Sequence, residues 1–465
     1  MIAERATLSL VVGILVAAGL LPLLAVVVGS LTVDGRFSLA YYEALLTSCQ
    51  QWHLLGNSLL LASLVAAAAT LVGLPLGILF AKSDLPLRGA LAVLFAIPLL
   101  LPPYILAVAW FHVLGRGGLV ALWFGPAMAE RTHAWLFGLP SCVLVLTSSL
   151  MPIVLLLTVA FVRTVHPRLE EAARIAAPWR SVLVGITIPL ILPGVLLGAL
   201  LVFLLALGEF GIPMFLRYDV HAVESFTQFA AFYQPDAATA AAVPLGLVTL
   251  LVLVLERLLL RDWTYEVRFA SSGADAVILT VGRLRRVLFG AVAMLCALTV
   301  LLPLGSLAVS SAVAGTYAEA LSRSWDALLR SLGYAAAGAS LLTLVGFFVG
   351  YLVQRRSLAG WRSVDSLTVL LFALPSTVVG IGLVTLWNRP GAGALYGTPL
   401  LVLVGYLAQY TALTSRTTVA GLSAIPRSME EAARMTGAGW FRRTGQIVAP
   451  LAARALGAAW LIGYL

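Results

Sequence analysis

The chain has a single lysine, Lys82, beside 28 arginines, and charged residues make up only 11% of its 465 positions. A soluble domain carries about 25% charged residues, so an ordinary water-facing surface is excluded. Intrinsic disorder is excluded as well, because it needs high charge and little apolar content. Cysteine is also scarce. Cys49, Cys142 and Cys296 lie far apart, an odd count without metal-ligand spacing, so neither a disulfide framework nor a metal site is built from them. The five histidines, His53, His112, His133, His166 and His221, show no ligand spacing either. No phosphate-binding Gly-Lys-Ser/Thr loop and no catalytic His/Asp/Ser cluster occurs, so neither ATPase chemistry nor a membrane-embedded enzyme is indicated, and no cofactor is implied.

Apolar sequence is what the chain has in excess: 61% hydrophobic residues and a mean hydropathy of +1.02. A helix crossing the ~30 Å hydrocarbon layer needs about 20 apolar residues. Runs of that kind fall at about 7–31, 55–81, 88–113, 139–162, 182–207, 238–260, 287–311, 331–354, 364–387, 398–418 and 446–465. The pattern predicts an all-α polytopic membrane bundle with eleven visible crossings, the last reaching Leu465. The first run lacks a clear small-residue cleavage site and reads as a retained helix. Prolines inside the runs, among them Pro75, Pro98, Pro152 and Pro375, are expected to kink helices rather than end them.

The formal net charge of +9 does not mark a nucleic-acid surface, because the arginines form short clusters between apolar runs. With the N-terminus inside and strict alternation, 21 basic residues fall on inner segments and 7 on outer ones, Arg454 lying in the last run. The positive-inside rule therefore predicts a cytoplasmic N-terminus. A polar stretch at 261–286, with Asp262, Glu266, Arg268 and Arg283, reads as a cytoplasmic linker between halves at 1–260 and 287–465.

The halves repeat. Glu170-Glu171-Ala172-Ala173-Arg174 recurs as Glu430-Glu431-Ala432-Ala433-Arg434, an offset of 260. Each copy is followed by a tryptophan (Trp179, Trp440) and a proline-bearing apolar run (Pro189, Pro450). Upstream, Ser58, Gly73 and Gly77 are echoed by Ser331, Gly346 and Gly350 at an offset of 273. Six crossings separate the two copies, so both face one compartment and the halves are parallel repeats. The motif favours a short helix with acidic residues in its first turn and Arg174 or Arg434 within pairing distance of the glutamates. Gly437 and Gly439 predict a bend after the second copy.

This segment resembles the EAA loop of ATP-binding-cassette importer permeases: Glu-Ala-Ala, three residues, Gly, nine residues, Ile, two residues, Pro. The second copy supplies Glu431-Ala432-Ala433, Gly437, Ile447 and Pro450. The first copy has Glu171-Ala172-Ala173 but Ala177 at the glycine place, and its Pro189 arrives one residue early. The resemblance implies two fused permease halves of six helices each, as in ferric-iron, thiamine and some polyamine or anion importers. It therefore implies a twelfth crossing, absent from the second half as it stands. It further implies that Glu170, Glu171, Ala172, Ala173, Arg174, Glu430, Glu431, Ala432, Ala433, Arg434 and Gly437 couple the bundle to a cytoplasmic ATPase dimer. A periplasmic or extracellular binding protein would deliver substrate, and the site of action would be the bacterial inner membrane.

Substrate signals are sparse. Glu209 lies at a membrane boundary in Gly208-Glu209-Phe210-Gly211-Ile212-Pro213, with Tyr218 beyond; a carboxylate at mid-membrane costs about 2.5–3.5 kcal/mol. Glu209 and Tyr218 are the candidate pathway residues, with a water-facing loop-end carboxylate as the plainer reading of Glu209. The stretch resembles the same region of ferric-iron permeases, which favours iron over thiamine, a polyamine or an inorganic anion. A secondary transporter or channel built from parallel repeats would require more intramembrane ionisable groups than are found.

Overall fold

The computed structural model describes residues 2–33, 36–260, 282–313, 317–389, 391 and 395–465. Most of the expected linker, 261–286, lies outside the described residues. The chain opens with α1 (Ile2–Leu15) and α2 (Leu21–Ser30), joined by a π turn at Val16–Leu20. A ribbon of two short antiparallel strands follows, β1 (Thr32–Val33) and β2 (Arg36–Phe37). Next come α3 (Ala40–Thr47), α4 (Cys49–Lys82), α5 (Arg88–Leu100), α6 (Pro103–Leu114), α7 (Leu119–Phe124), α8 (Pro126–Leu136) and α9 (Leu139–Val162). The short α10 (Pro167–Ala176) and α11 (Trp179–Val182) lead through a π turn into α12 (Ile188–Gly208), then α13 (Gly211–Phe215), α14 (His221–Ala230) and α15 (Pro235–Leu260).

The sequence then begins again. α16 (Arg285–Cys296), a π turn and α17 (Leu302–Val313) precede α18 (Tyr317–Arg355), α19 (Trp361–Ala373), α20 (Ser376–Trp387) and α21 (Pro399–Ser423). α22 (Arg427–Met435), α23 (Trp440–Arg443), a π turn, α24 (Ala449–Leu451) and α25 (Ala453–Tyr464) complete it. Both ends of α5 and α6 lie 273 residues before those of α19 and α20, whereas α9 begins 260 residues before α21. The 13-residue difference falls where α7 and α8 stand in the first half; no counterpart of that pair occurs among the described residues of the second. Among the described residues eight helices are long and apolar enough to cross a membrane, or up to ten if each bent pair is one span. The bent pairs are α19–α20, at 106°, and the segments Trp440–Leu451 and Ala453–Tyr464, at 78°. The tenth expected run, 398–418, falls on α21, 25 residues long, and the eleventh, 446–465, on the second bent pair.

The π turns have one cause. Those at Val16–Leu20, Leu183–Thr187, Ala297–Leu301 and Thr444–Val448 each end just before a proline: Pro22, Pro189, Pro303 and Pro450. Proline has no N–H to give and its ring crowds the carbonyl four residues back, and a widened turn relieves both.

Two compact units emerge, one of Met1–Ser48, Glu224–Thr249 and Glu319–Leu465, the other of Cys49–Val223 and Leu250–Ala318. They cut across the sequence halves, because each unit contains the first helix of the other half. In the first unit α2 lies so close to α20 that a Cβ on Gly382 would stand 2.6 Å from the Pro22 carbonyl oxygen. In the second, Ser306 of α17 donates to the Ala109 carbonyl of α6 at 3.3 Å. Glycines also set the central packing. Gly73 and Gly77 of α4 face α9, and a Cβ on Gly77 would lie 2.9 Å from the Leu155 carbonyl oxygen. Gly346 and Gly350 of α18 face α21 in the same way. Lipid is as apolar as leucine, so helix association in a membrane relies on this close approach of backbones.

Candidate functional site: two short repeated helices

α10 and α22 carry the repeated motif. Each follows a proline-marked start: Pro167 occupies the first position of α10, where its missing N–H costs nothing, and Pro426 caps α22. At the start of α10, His166 Nδ1 accepts the Arg168 N–H at 3.3 Å. The two helices stop differently. After α22, Gly437 takes φ +83, its N–H donating to the Arg434 carbonyl at 3.0 Å and the Ala438 N–H to that of Ala433 at 3.1 Å. That is a Schellman stop, which needs a left-handed residue. After α10, Ala177 is extended (φ −144, ψ 150) and Pro178 bars continuation. The glycine place therefore holds alanine in the first copy because no left-handed turn is made there. Both copies still bend into a second short helix, α11 or α23.

The paired glutamates face opposite ways. Glu171 and Glu431 are exposed, whereas Glu170 and Glu430 are buried. Lys82 Nζ, at the last residue of α4 and itself 2% exposed, donates to Glu170 Oε2, and Thr187 donates to Glu170 Oε1 at 2.6 Å. In the second half Arg355, the last residue of α18, pairs with Glu430 at 2.7 Å, and the Tyr351 hydroxyl donates to Glu430 Oε2 at 2.8 Å. Burying an ion costs several kcal/mol, which only close pairing and additional hydrogen bonds offset. Two further contacts hold the end of α18 at the entry to α22: Arg355 to the carbonyl of Ile425, in the turn before the helix, at 3.2 Å, and Arg427, its first residue, to the Gln354 carbonyl at 3.0 Å.

The outer face of each short helix is apolar with charged flanks. Ala172, Arg174 and Ile175 are exposed on α10, and Ala432, Arg434 and Met435 on α22, while Ala173 and Ala433 are half-buried. Ile175 is 90% exposed and Met435 87%. Arg174 does not turn to the neighbouring glutamates as its spacing suggested. Lys82 already holds Glu170, and the Arg174 guanidinium lies over the Trp179 ring at 4.9 Å, bracing α10 against α11. In the second copy buried Trp440 performs the bracing, with ring centres 6.1 Å from both Phe348 and Tyr351.

The two candidate pathway residues stand outside both short helices, Glu209 after α12 and Tyr218 after α13. Glu209 follows the end of α12 and accepts the Gly211 N–H at 2.8 Å and the Ile212 N–H at 3.3 Å, capping α13. Burial raises its carboxyl above the usual range, opposed by those two bonds. Tyr218 is half-buried beyond α13, its phenol raised by burial and then by nearby Cys142. Among the described residues no group of three His, Cys, Asp or Glu side chains could hold a metal ion. A cavity of about 580 Å³ beside the α19–α20 break is lined by Ser376, Tyr396, Tyr406, Gln409 and Tyr410. Gln409 donates to the Leu374 and Phe372 carbonyls at 3.0 and 3.2 Å, satisfying groups freed by the break. Sequence reading missed Gln409, Tyr351 and the partner role of Lys82, although a solitary lysine 273 residues before Arg355 was the available signal.

The family described as "Binding-protein-dependent transport system inner membrane component" matches residues 73–264 and 342–462, spanning both short helices and the α4–α9 and α18–α21 packing. The chain belongs to this family. It is an ABC importer permease, a multi-pass protein of the bacterial inner membrane. The permease is 25% identical over 467 residues to a protein of Haemophilus influenzae named as a ferric transport system permease protein, FbpB 1, with 96% of this chain and 73% of that one covered. It is 23% identical to the ferric transport system permease protein FbpB of Actinobacillus pleuropneumoniae, covering 88% of this chain and 62% of that one. Over 165 residues, 33% of this chain and 69% of the relative, it is 33% identical to the molybdenum transport system permease protein ModB of Escherichia coli.

Proposed function

We propose that this permease carries ferric iron inward, delivered by a substrate-binding protein and driven by a separate ATPase dimer that seats on α10 and α22. The observation that carries the reading is the duplicated exposed face: Ile175 and Met435 project 260 residues apart from equivalent helices whose other side is fastened by a buried ion pair. A large exposed apolar side chain on a stiff helix suits insertion into a partner's cleft. Closure of the ATPase dimer would draw the two helices together and rock the repeats between inward and outward access. The N-terminus would be cytoplasmic, which places the short helices and most arginines on the ATPase side.

Iron is favoured because similarity to ferric permeases runs through 88–96% of the chain, whereas the likeness to molybdenum permeases covers 32–43%. The test is reconstitution in proteoliposomes with the ATPase and binding protein. Ferric-loaded binding protein should stimulate ATP hydrolysis and fill the vesicles with iron. Stimulation by molybdate-loaded protein, with none by ferric ion, would move the assignment to the anion.

A further inference from the structure

In both halves one glutamate of the repeated pair points away from the face that would meet an ATPase. Glu170 is fully buried and Glu430 nearly so, and each reaches the last residue of the long helix that carries the two packing glycines. The partners differ: Lys82 with Thr187 in one half, Arg355 with Tyr351 in the other. Two different chemistries thus make one contact at repeat-equivalent positions. A glutamate whose task was to greet a soluble partner would be solvated, as Glu171 and Glu431 are. A buried ion pair adds little net stability compared with an apolar pair of the same shape, but it fixes one geometry.

We propose that Glu170 and Glu430 are positioning residues that fasten each short helix to the inner end of α4 or α18, so that displacement of the short helix is delivered to the glycine-packed helix pair. Glu171 and Glu431 are left to face the ATPase. This rests on the reading of α10 and α22 as docking helices. The halves also differ in strength. The Arg427–Gln354 contact of α22 and the Arg355–Ile425 contact just before it remain if Glu430 is neutralised, whereas α10 is joined to α4 through Lys82 and Glu170. The first half is therefore the more fragile lever.

The experiment uses the full chain with its ATPase and binding protein in proteoliposomes, reading three quantities for each variant: ATPase subunits retained, ATP hydrolysed, and ferric ion accumulated per ATP. Glu170→Gln should keep ATPase retention within about twofold while iron per ATP falls roughly tenfold, and Glu430→Gln should lose less, roughly threefold. Glu431→Ala should instead weaken retention. Lys82→Arg, which copies the second half, should preserve coupling. The exchange Lys82→Glu with Glu170→Lys should recover at least part of what Glu170→Gln loses, and it remains informative if that single variant accumulates poorly. A role confined to folding would lower the yield of complex and leave iron per ATP unchanged, which would overturn the proposal. Loss of ATPase retention by Glu170→Gln, to the degree seen with Glu431→Ala, would overturn it too and make Glu170 a docking contact. If the unsubstituted chain retains no ATPase, the docking reading itself fails first, and that result is separate from the behaviour of the variants.

Discussion

Gly350 lies against the Ser415 carbonyl so closely that a Cβ would stand 2.8 Å from its oxygen, with the Thr418 Cβ at the same distance. Backbone cannot yield as a flexible side chain can, so Gly350→Ala must part α18 from α21. Overpacking of this kind costs about 1–3 kcal/mol. Thermal unfolding of the purified chain should register it as a lower midpoint. Gly56→Ala in α4 is the control. Nothing lies within 4 Å of a Cβ there, and alanine's better helix propensity should leave the midpoint unchanged or slightly higher.

Neighbouring glutamates should behave unlike one another. Glu430→Ala leaves Arg355 buried beside an empty place, a loss of about 3–5 kcal/mol. Glu431→Ala removes an exposed side chain and should cost roughly 0.5 kcal/mol or less. The same unfolding measurement separates them, and equal losses would contradict the burial described for this pair.

The repeat, the all-α class and the short amphipathic helices were legible in the sequence because they depend on run length, offset and helix propensity. The sidedness of the glutamate pair was not. Glu170 and Glu171 are adjacent in an identical motif, and only the return of Lys82 from the end of α4 decides which is buried. The composition of the two compact units was equally hidden. The apolar faces of α2 and α17 carry no label naming α20 or α6, since an apolar face contacting lipid reads the same as one contacting another helix. Ala177 shows the converse: its departure from the motif's glycine marks only a different way of stopping the helix.

Gly437 should tolerate alanine poorly while Ala177 tolerates glycine. A left-handed conformation costs a residue with a Cβ about 1–2 kcal/mol, and Gly437 sits at φ +83 whereas Ala177 is extended. Gly437→Ala is expected to loosen the α22–α23 bend and lower transport per ATP. Ala177→Gly should change transport by less than about twofold.

Sidedness can be read from the native cysteines. With a cytoplasmic N-terminus, exposed Cys49 precedes the second crossing on the outer side, while Cys142 and Cys296 are buried. An impermeant maleimide should label intact cells at Cys49, and Cys49→Ser should abolish that signal. A cysteine introduced by Ser428→Cys in the Cys49→Ser background should react only after the cells are opened. Labelling of Ser428→Cys from outside would reverse the proposed orientation.

On the proposed function, α10 and α22 each seat one ATPase subunit. Native mass spectrometry of the detergent-purified complex measures this directly, by counting ATPase subunits on each permease chain. Two are expected on the unsubstituted chain, with loss of binding when Ile175→Asp and Met435→Asp are combined. Two subunits retained by that double variant, or iron transport by a permease that carries none, would contradict it.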